Sequence, residues 1–169
     1  MPFSSSTKET HGEAALLYVA FGSNQGDREN LILRAARMLG EKIGKLVSMS
    51  ALYETKPEGF VSESLFLNAA AAYETTKKAR SILKISQRIE RELGRQEKSK
   101  DGIYHDRPID IDLLWKSDES METSLLVMPH PRMKERLFVM EPLAEIVPEM
   151  QLDGEGIFGI IEKLKKDTK

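Results

Sequence analysis

The stretch "HDRPIDIDLLW" at 105–115 places two acids, Asp110 and Asp112, two positions apart in an otherwise apolar run. On a strand, that spacing puts both carboxylates on one face and Ile109, Ile111 and Leu113 on the other. Two like charges held side by side repel each other unless a cation or positive groups sit between them. Magnesium accepts one or two carboxylates and completes its shell with water and substrate phosphates, so the pair suits a nucleotide-bound Mg2+. An open sheet face whose aspartates meet water explains the spacing equally well.

Three further clusters carry chemistry-bearing side chains. In "MPHPRMKERLF" at 128–138, prolines on both sides fix the backbone around His130, and Arg132, Lys134 and Arg136 follow. Guanidinium groups grip phosphate oxygens in pairs and a lysine adds a point charge, which fits a polyphosphate. A charged surface loop is the plainer explanation. Gln87, Glu90, Arg91, Arg95 and Lys98 line a helix and its exit, beside a polar loop at 96–106 with Gly102 as a hinge. That loop reads as a lid over a nucleotide or as a solvated helix end. Phe66 and Asn68 share one strand face, near Thr55 and Pro57; a ring and an amide there would stack on and hydrogen-bond a flat heterocycle. The competing role is core for Phe66 and strand edge for Asn68. "GSNQGDRE" at 22–29 lacks the lysine of a P-loop, and Asp27 reads as a helix N-cap.

The elements that must position these residues alternate along the chain. "ALLYVAF" at 15–21 reads as a buried strand and 28–40 as a helix, with Leu31, Ala35, Met38 and Leu39 at helical spacing. Residues 45–55 and 64–75 read as two strands separated by a Pro57 and Gly59 loop. A helix over 77–93 stops at Gly94, and the aspartate strand runs from 107 to 115. The order β-α-β-β-α-β predicts an α+β fold of the ferredoxin-like kind, with helices on one sheet face. A C-terminal extension of a short strand and helices follows, near 136–146 and 157–165.

Composition bounds the function class. The 169 residues carry a net charge of −2 with 31% charged residues, so the bulk basic field of a nucleic-acid binder is missing and anions must be met locally. No cysteine is present, which excludes thiol catalysis and Cys-type metal centres and suits a cytoplasmic protein. No apolar run is long enough to span a bilayer. Residues 1–13 read as a disordered polar tail and 14–169 as one domain.

Taken together and in order, "YVAFGSNQGDRENL", "LYETKPEG", "FLNAA", "IERELGR", "DRPIDIDLL" and "PHPRMKERLFVMEPLAEIVPE" resemble the 6-hydroxymethyl-7,8-dihydropterin pyrophosphokinase family over Tyr18 to Pro148. The resemblance implies an ATP pyrophosphokinase of folate biosynthesis with two Mg2+ ions, acting on small molecules and not on nucleic acid or membrane; the oligomeric state is not fixed by the sequence, with a monomer favoured. It implies Asp110 and Asp112 as metal ligands, and these with Arg95 and Arg107 as catalytic residues. Phe66 and Phe138 would sandwich the pterin, with Thr55, Pro57 and Asn68 at its edge. Gln87, Glu90, Arg95, Lys98, His130, Lys134 and Arg136 would face ATP. The chain departs from the family at Glu97, where a basic residue is common, and at "HDR", where "GPR" is usual. The alternative is a non-catalytic ferredoxin-like module that binds a small ligand.

Overall fold

A computed structural model describes residues 13–56, 64–95 and 106–167. It contains strands β1 (Ala15–Ser23), β2 (Gly44–Met49), β3 (Tyr53–Thr55), β4 (Phe66–Thr75) and β5 (Asp110–Lys116) in one sheet. Helices α1 (Arg28–Ile43) and α2 (Ala79–Glu92) form the two crossovers. The C-terminal part adds hairpin β6–β7 (Met121–Glu122, Val127–Met128), a 3-10 turn (Met133–Glu135) and α3 (Leu137–Ile146). Hairpin β8–β9 (Gln151–Leu152, Glu155–Gly156) and α4 (Ile157–Asp167) complete it. The sheet order is β2–β4–β1–β5, with β3 also beside β4, and every neighbouring pair is antiparallel. The α+β expectation therefore stands as a mixed fold with an antiparallel sheet and four helices. The polar tail expected at 1–13 lies almost wholly outside the described residues.

Local chemistry explains the boundaries. Asp27 caps α1 by accepting from the Asn30 N–H, and Ile32, Ala35, Ala36, Leu39 and Ile43 form its buried stripe. α1 runs straight into β2 through Gly44 at φ 147°, where a Cβ would lie 2.0 Å from the Glu74 carbonyl oxygen. Only glycine fits there. The single strand expected over 45–55 is instead broken between Met49 and Tyr53. The Ser50 hydroxyl takes the Ala70 N–H at 2.9 Å, replacing a ladder bond, and three residues (50–52) on this side stand opposite two (69–70) on β4.

Both faces of the sheet are used. Leu17, Val19, Phe21, Ala69, Ala71, Tyr73, Ile109, Ile111 and Leu113 pack against α1 and α2. On the other face, Tyr18, Ala70, Ala72 and Leu114 pack against α3 and α4 through Val139, Met140, Leu143, Ile157, Ile160 and Ile161. The expectation of helices on one face is thus corrected, because the C-terminal segment carries its own apolar stripe and buries it on the second face. A bulge in β5 adds to that face. Tyr18 pairs with Trp115 and Val19 with Leu113, so Leu114, already on the face of Asp110 and Asp112 by alternation, is the extra residue, and Trp115 joins it on the α3–α4 side.

Candidate active site

The second sheet face has an apolar half under α3 and α4 and a polar half beyond it. In the polar half, Gly22 of β1 stands between Asn68 of β4 and Asp110 of β5, and Ala20 stands between Ala70 and Asp112. A Cβ at Gly22 would meet Asn68 Oδ1 and the Phe66 ring at 3.6 Å each. Small residues on the central strand therefore make a low floor, walled by Phe66 and Asn68 on one side and the aspartates on the other. Asn68 Nδ2 donates to Thr55 Oγ1 at 2.8 Å and to the Tyr53 carbonyl at 3.1 Å, so Thr55 joins this wall.

Arginines balance the acids. α2 ends through Gly94 at φ 106°, with Arg95 N–H bonded to the Glu90 carbonyl at 2.9 Å and Gly94 N–H to the Arg91 carbonyl at 3.1 Å. This left-handed exit turns Arg95 back under the sheet edge, where it is 5% exposed. Its Nη1 lies 2.6 Å from Asp110 Oδ1, 3.1 Å from the Ile109 carbonyl and 3.7 Å from Glu90 Oε2. Arg107 Nη1 stands 3.5 Å from Asp110 Oδ2, and its guanidinium lies 5.3 Å over the Phe66 ring. Buried Glu90 accepts the Ile111 N–H at 2.7 Å. β5 is an edge strand, so this carboxylate does the work of a missing neighbour and fixes the backbone between the two aspartates.

A second group sits at the start of α3. The Arg136 guanidinium lies 5.5 Å over the Phe138 ring. His130 is held by its N–H to the Leu114 carbonyl at 2.8 Å, further along the aspartate strand. The Arg132 N–H donates to His130 Nδ1 at 3.2 Å, which leaves Nε2 as the N–H of the neutral ring. Lys134 points instead to Asp153 in the β8–β9 turn, and that hydrogen bond raises its pKa. Gln87 is half-buried on α2. Pro57, Lys98 and the rest of 96–105, the stretch expected as a lid, with Glu97 in it, lie outside the described residues.

Sequence reasoning passed over two residues that organise the site. Glu145 of α3 accepts Ala51 N–H at 3.1 and 3.2 Å and the Tyr53 hydroxyl at 2.7 Å, tying the helix of Phe138 to the strand of Thr55. Asn24, at the end of β1, is 3% exposed and bonded to two other segments, at Ser64 and at Asp106–Arg107. Both lay in quoted motifs, but only the fold shows their partners. A polar cavity of about 620 Å³ opens beside Asn24, lined also by Arg28, Glu54, Leu65 and Asp106. None of the sequence-predicted site residues lines it, and chemistry rather than volume places the candidate site on the neighbouring face.

Among the described residues no group of three or more His, Cys, Asp or Glu forms a metal cage. Two half-buried carboxylates on one face, with arginines alongside, fit a magnesium ion that takes its other ligands from phosphate and water. The arrangement can hold a flat ring against Phe66 and Asn68 and a polyanion over the acids and arginines.

The family model for 7,8-dihydro-6-hydroxymethylpterin-pyrophosphokinase matches residues 18–148, from within β1 through α3, ahead of the β8–β9 hairpin and α4. The chain belongs to that family. A 2-amino-4-hydroxy-6-hydroxymethyldihydropteridine pyrophosphokinase from Porphyromonas gingivalis is 47% identical over 135 residues, 79% of this chain and 92% of that protein. The Bacillus subtilis protein of the same name is 40% identical over 140 residues, 82% of each. Among solved structures, the Plasmodium falciparum HPPK-DHPS protein with pteroate aligns at a TM-score of 0.73 and 17% identity. That alignment covers 93% of this chain and 43% of the other, so the chain spans less than half of the bifunctional protein. The likeness shows a shared fold. No helix of the described residues is long and apolar enough to cross a membrane.

Proposed function

We propose that the chain is a pyrophosphokinase that transfers the pyrophosphoryl group of ATP to the hydroxyl of 6-hydroxymethyl-7,8-dihydropterin, releasing AMP, in folate biosynthesis. One observation carries the reading. In a chain 47% identical to a protein of that name, Asp110, paired with Arg95, stands across a glycine floor from Asn68, and Arg107 reaches both Asp110 and the Phe66 ring. The interleaved strand order supports a ferredoxin-like description; we take 14–169 as one catalytic domain in the cytoplasm, with a monomer favoured.

The pterin lies on the Gly22 floor, stacked between Phe66 and Phe138, with Asn68, Thr55 and Pro57 at its polar edge. The triphosphate lies over β5. Asp110 and Asp112 would hold two Mg2+ ions there, which would supply charge neutralisation and lower the pKa of the substrate hydroxyl. The hydroxyl oxygen attacks the β-phosphorus, the bond from that phosphorus to the α-phosphate oxygen breaks, AMP leaves, and the hydroxyl proton passes to water. Little covalent help is needed, so positioning and charge dominate. Arg95, Arg107, His130 and Arg136 neutralise phosphate oxygens, with His130 offering Nε2–H. Glu90 serves the nucleotide by holding Ile111, while Gln87 and Lys98 complete the ATP side and Lys134 joins them only by leaving Asp153. Closure of the 96–106 loop excludes water that would otherwise hydrolyse ATP.

Incubation with ATP, Mg2+ and the pterin alcohol, followed by chromatography, tests the reading. AMP and the pterin pyrophosphate are the expected products. ADP would make the protein an ordinary kinase, and no turnover with retained pterin binding would make it a binding module.

A further inference from the structure

The "GSNQGD" turn is not needed as a phosphate loop, yet Asn24 within it is among the most heavily bonded side chains of the described residues. Its backbone N–H donates to the Arg107 carbonyl at 3.0 Å, and its Oδ1 accepts the Arg107 N–H at 2.7 Å. Its Nδ2 donates to Asp106 Oδ1 at 2.7 Å and to the Ser64 carbonyl at 3.4 Å. One buried amide thus joins three segments: the end of β1, the approach to β4 and the approach to β5.

Those approaches carry the two residues in ring contact. Ser64 lies two positions before Phe66, Arg107 is bonded directly, and the Arg107 guanidinium lies 5.3 Å over the Phe66 ring. Arg107 also reaches Asp110 at 3.5 Å. Holding Ser64 and Arg107 to one amide fixes the spacing between the ring proposed to stack the pterin and the cation proposed to meet the triphosphate.

The geometry points to Asn24 as a positioning residue that sets the pterin and phosphate halves of the site in register through Phe66 and Arg107. This deepens the pyrophosphokinase reading and rests on it for the roles of those two residues. A β-branched or apolar side chain cannot replace it, because both amide atoms are used and the residue is 3% exposed. Aspartate keeps the shape and the acceptor but loses the donor and faces the Asp106 carboxylate.

The test is the Asn24→Asp, Asp106→Asn and double variants, assayed for AMP formation beside the wild type. Asn24→Asp should lower kcat and raise the pterin KM, together costing at least about tenfold in kcat/KM, the scale of a buried polar pair left unmatched. In the double variant an amide at 106 can donate to a carboxylate at 24, and kcat/KM should return to within about threefold of wild type. The weaker Ser64 bond is not restored, so recovery is incomplete. Asp106→Asn alone keeps an acceptor and should cost less than Asn24→Asp. In the substrate-free protein, exchange of the Arg107 amide hydrogen should quicken at least about tenfold in Asn24→Asp and slow again in the double variant. A lowered melting temperature with unchanged kcat, pterin KM and Arg107 exchange would reduce Asn24 to a structural residue and overturn the inference. So would a double variant as impaired as the single one. If the wild type forms no AMP, the functional reading fails, and the exchange measurement still decides whether Asn24 anchors Arg107.

Discussion

Arg95 Nη1 stands 2.6 Å from Asp110 Oδ1, and the contact is delivered by a backbone turn rather than by the helix before it. Arg95 follows Gly94, whose φ of 106° lets two hydrogen bonds close α2 and send the next residue under β5. Gly94→Ala forces a Cβ into a left-handed conformation at a cost of about 1–3 kcal/mol. The expected result is a melting temperature lower by several degrees and kcat lower by about tenfold as Arg95 leaves Asp110. A variant that loses stability but keeps full kcat would show that Arg95 does not need this exit.

The two aspartates should separate when stability and turnover are measured together. Asp110→Ala removes the partner of a buried arginine as well as a metal ligand, so it should cost about 2 kcal/mol or more in urea unfolding. It should also reduce pyrophosphoryl transfer by at least about 10²-fold. Asp112→Ala should reduce transfer on the same scale. Near-normal transfer by Asp110→Ala with magnesium present would contradict the metal role.

Glu145 and Tyr53 give a signature in alkali. The hydrogen bond to Glu145, burial and the charge of Glu145 together push the Tyr53 hydroxyl up to about 12 from 10.0. The neutral phenol is therefore favoured in the folded state, and its stabilisation is fully present below pH 10.0 and lost as the pH rises through about 12. Unfolding curves of the wild type and Tyr53→Phe should differ by a constant amount below pH 10.0 and converge between there and about 12. Glu145→Ala should raise the pterin KM about threefold to tenfold and leave the ATP KM in place, since it frees the strand of Thr55 from the helix of Phe138. Equal changes in both constants would argue against that strap.

Much of this protein is local enough to read along the chain. The alternation in 109–113 separates the aspartates from the isoleucines whatever they pack against, and period two carries Phe66 and Asn68 to one face in the same way. Asp27 and Gly94 mark helix ends because capping and left-handed φ are properties of a few neighbouring residues. The break in 45–55 was hidden, because it depends on the Ser50 hydroxyl meeting Ala70, twenty positions away. So was the use of the second sheet face by α3 and α4, since an apolar stripe does not name the surface that will cover it.

The sequence by itself determined which residue types stand on which side of each element, and through its motifs the family and the reaction. Only the tertiary structure decided who holds whom: Glu90 on Ile111, Arg95 and Arg107 on Asp110, Asn24 across Asp106, Arg107 and Ser64. Periodicity is set by backbone geometry within a few residues, whereas a hydrogen bond depends on two atoms meeting within about 3 Å. Between residues eighty positions apart, that meeting exists only once the sheet has paired.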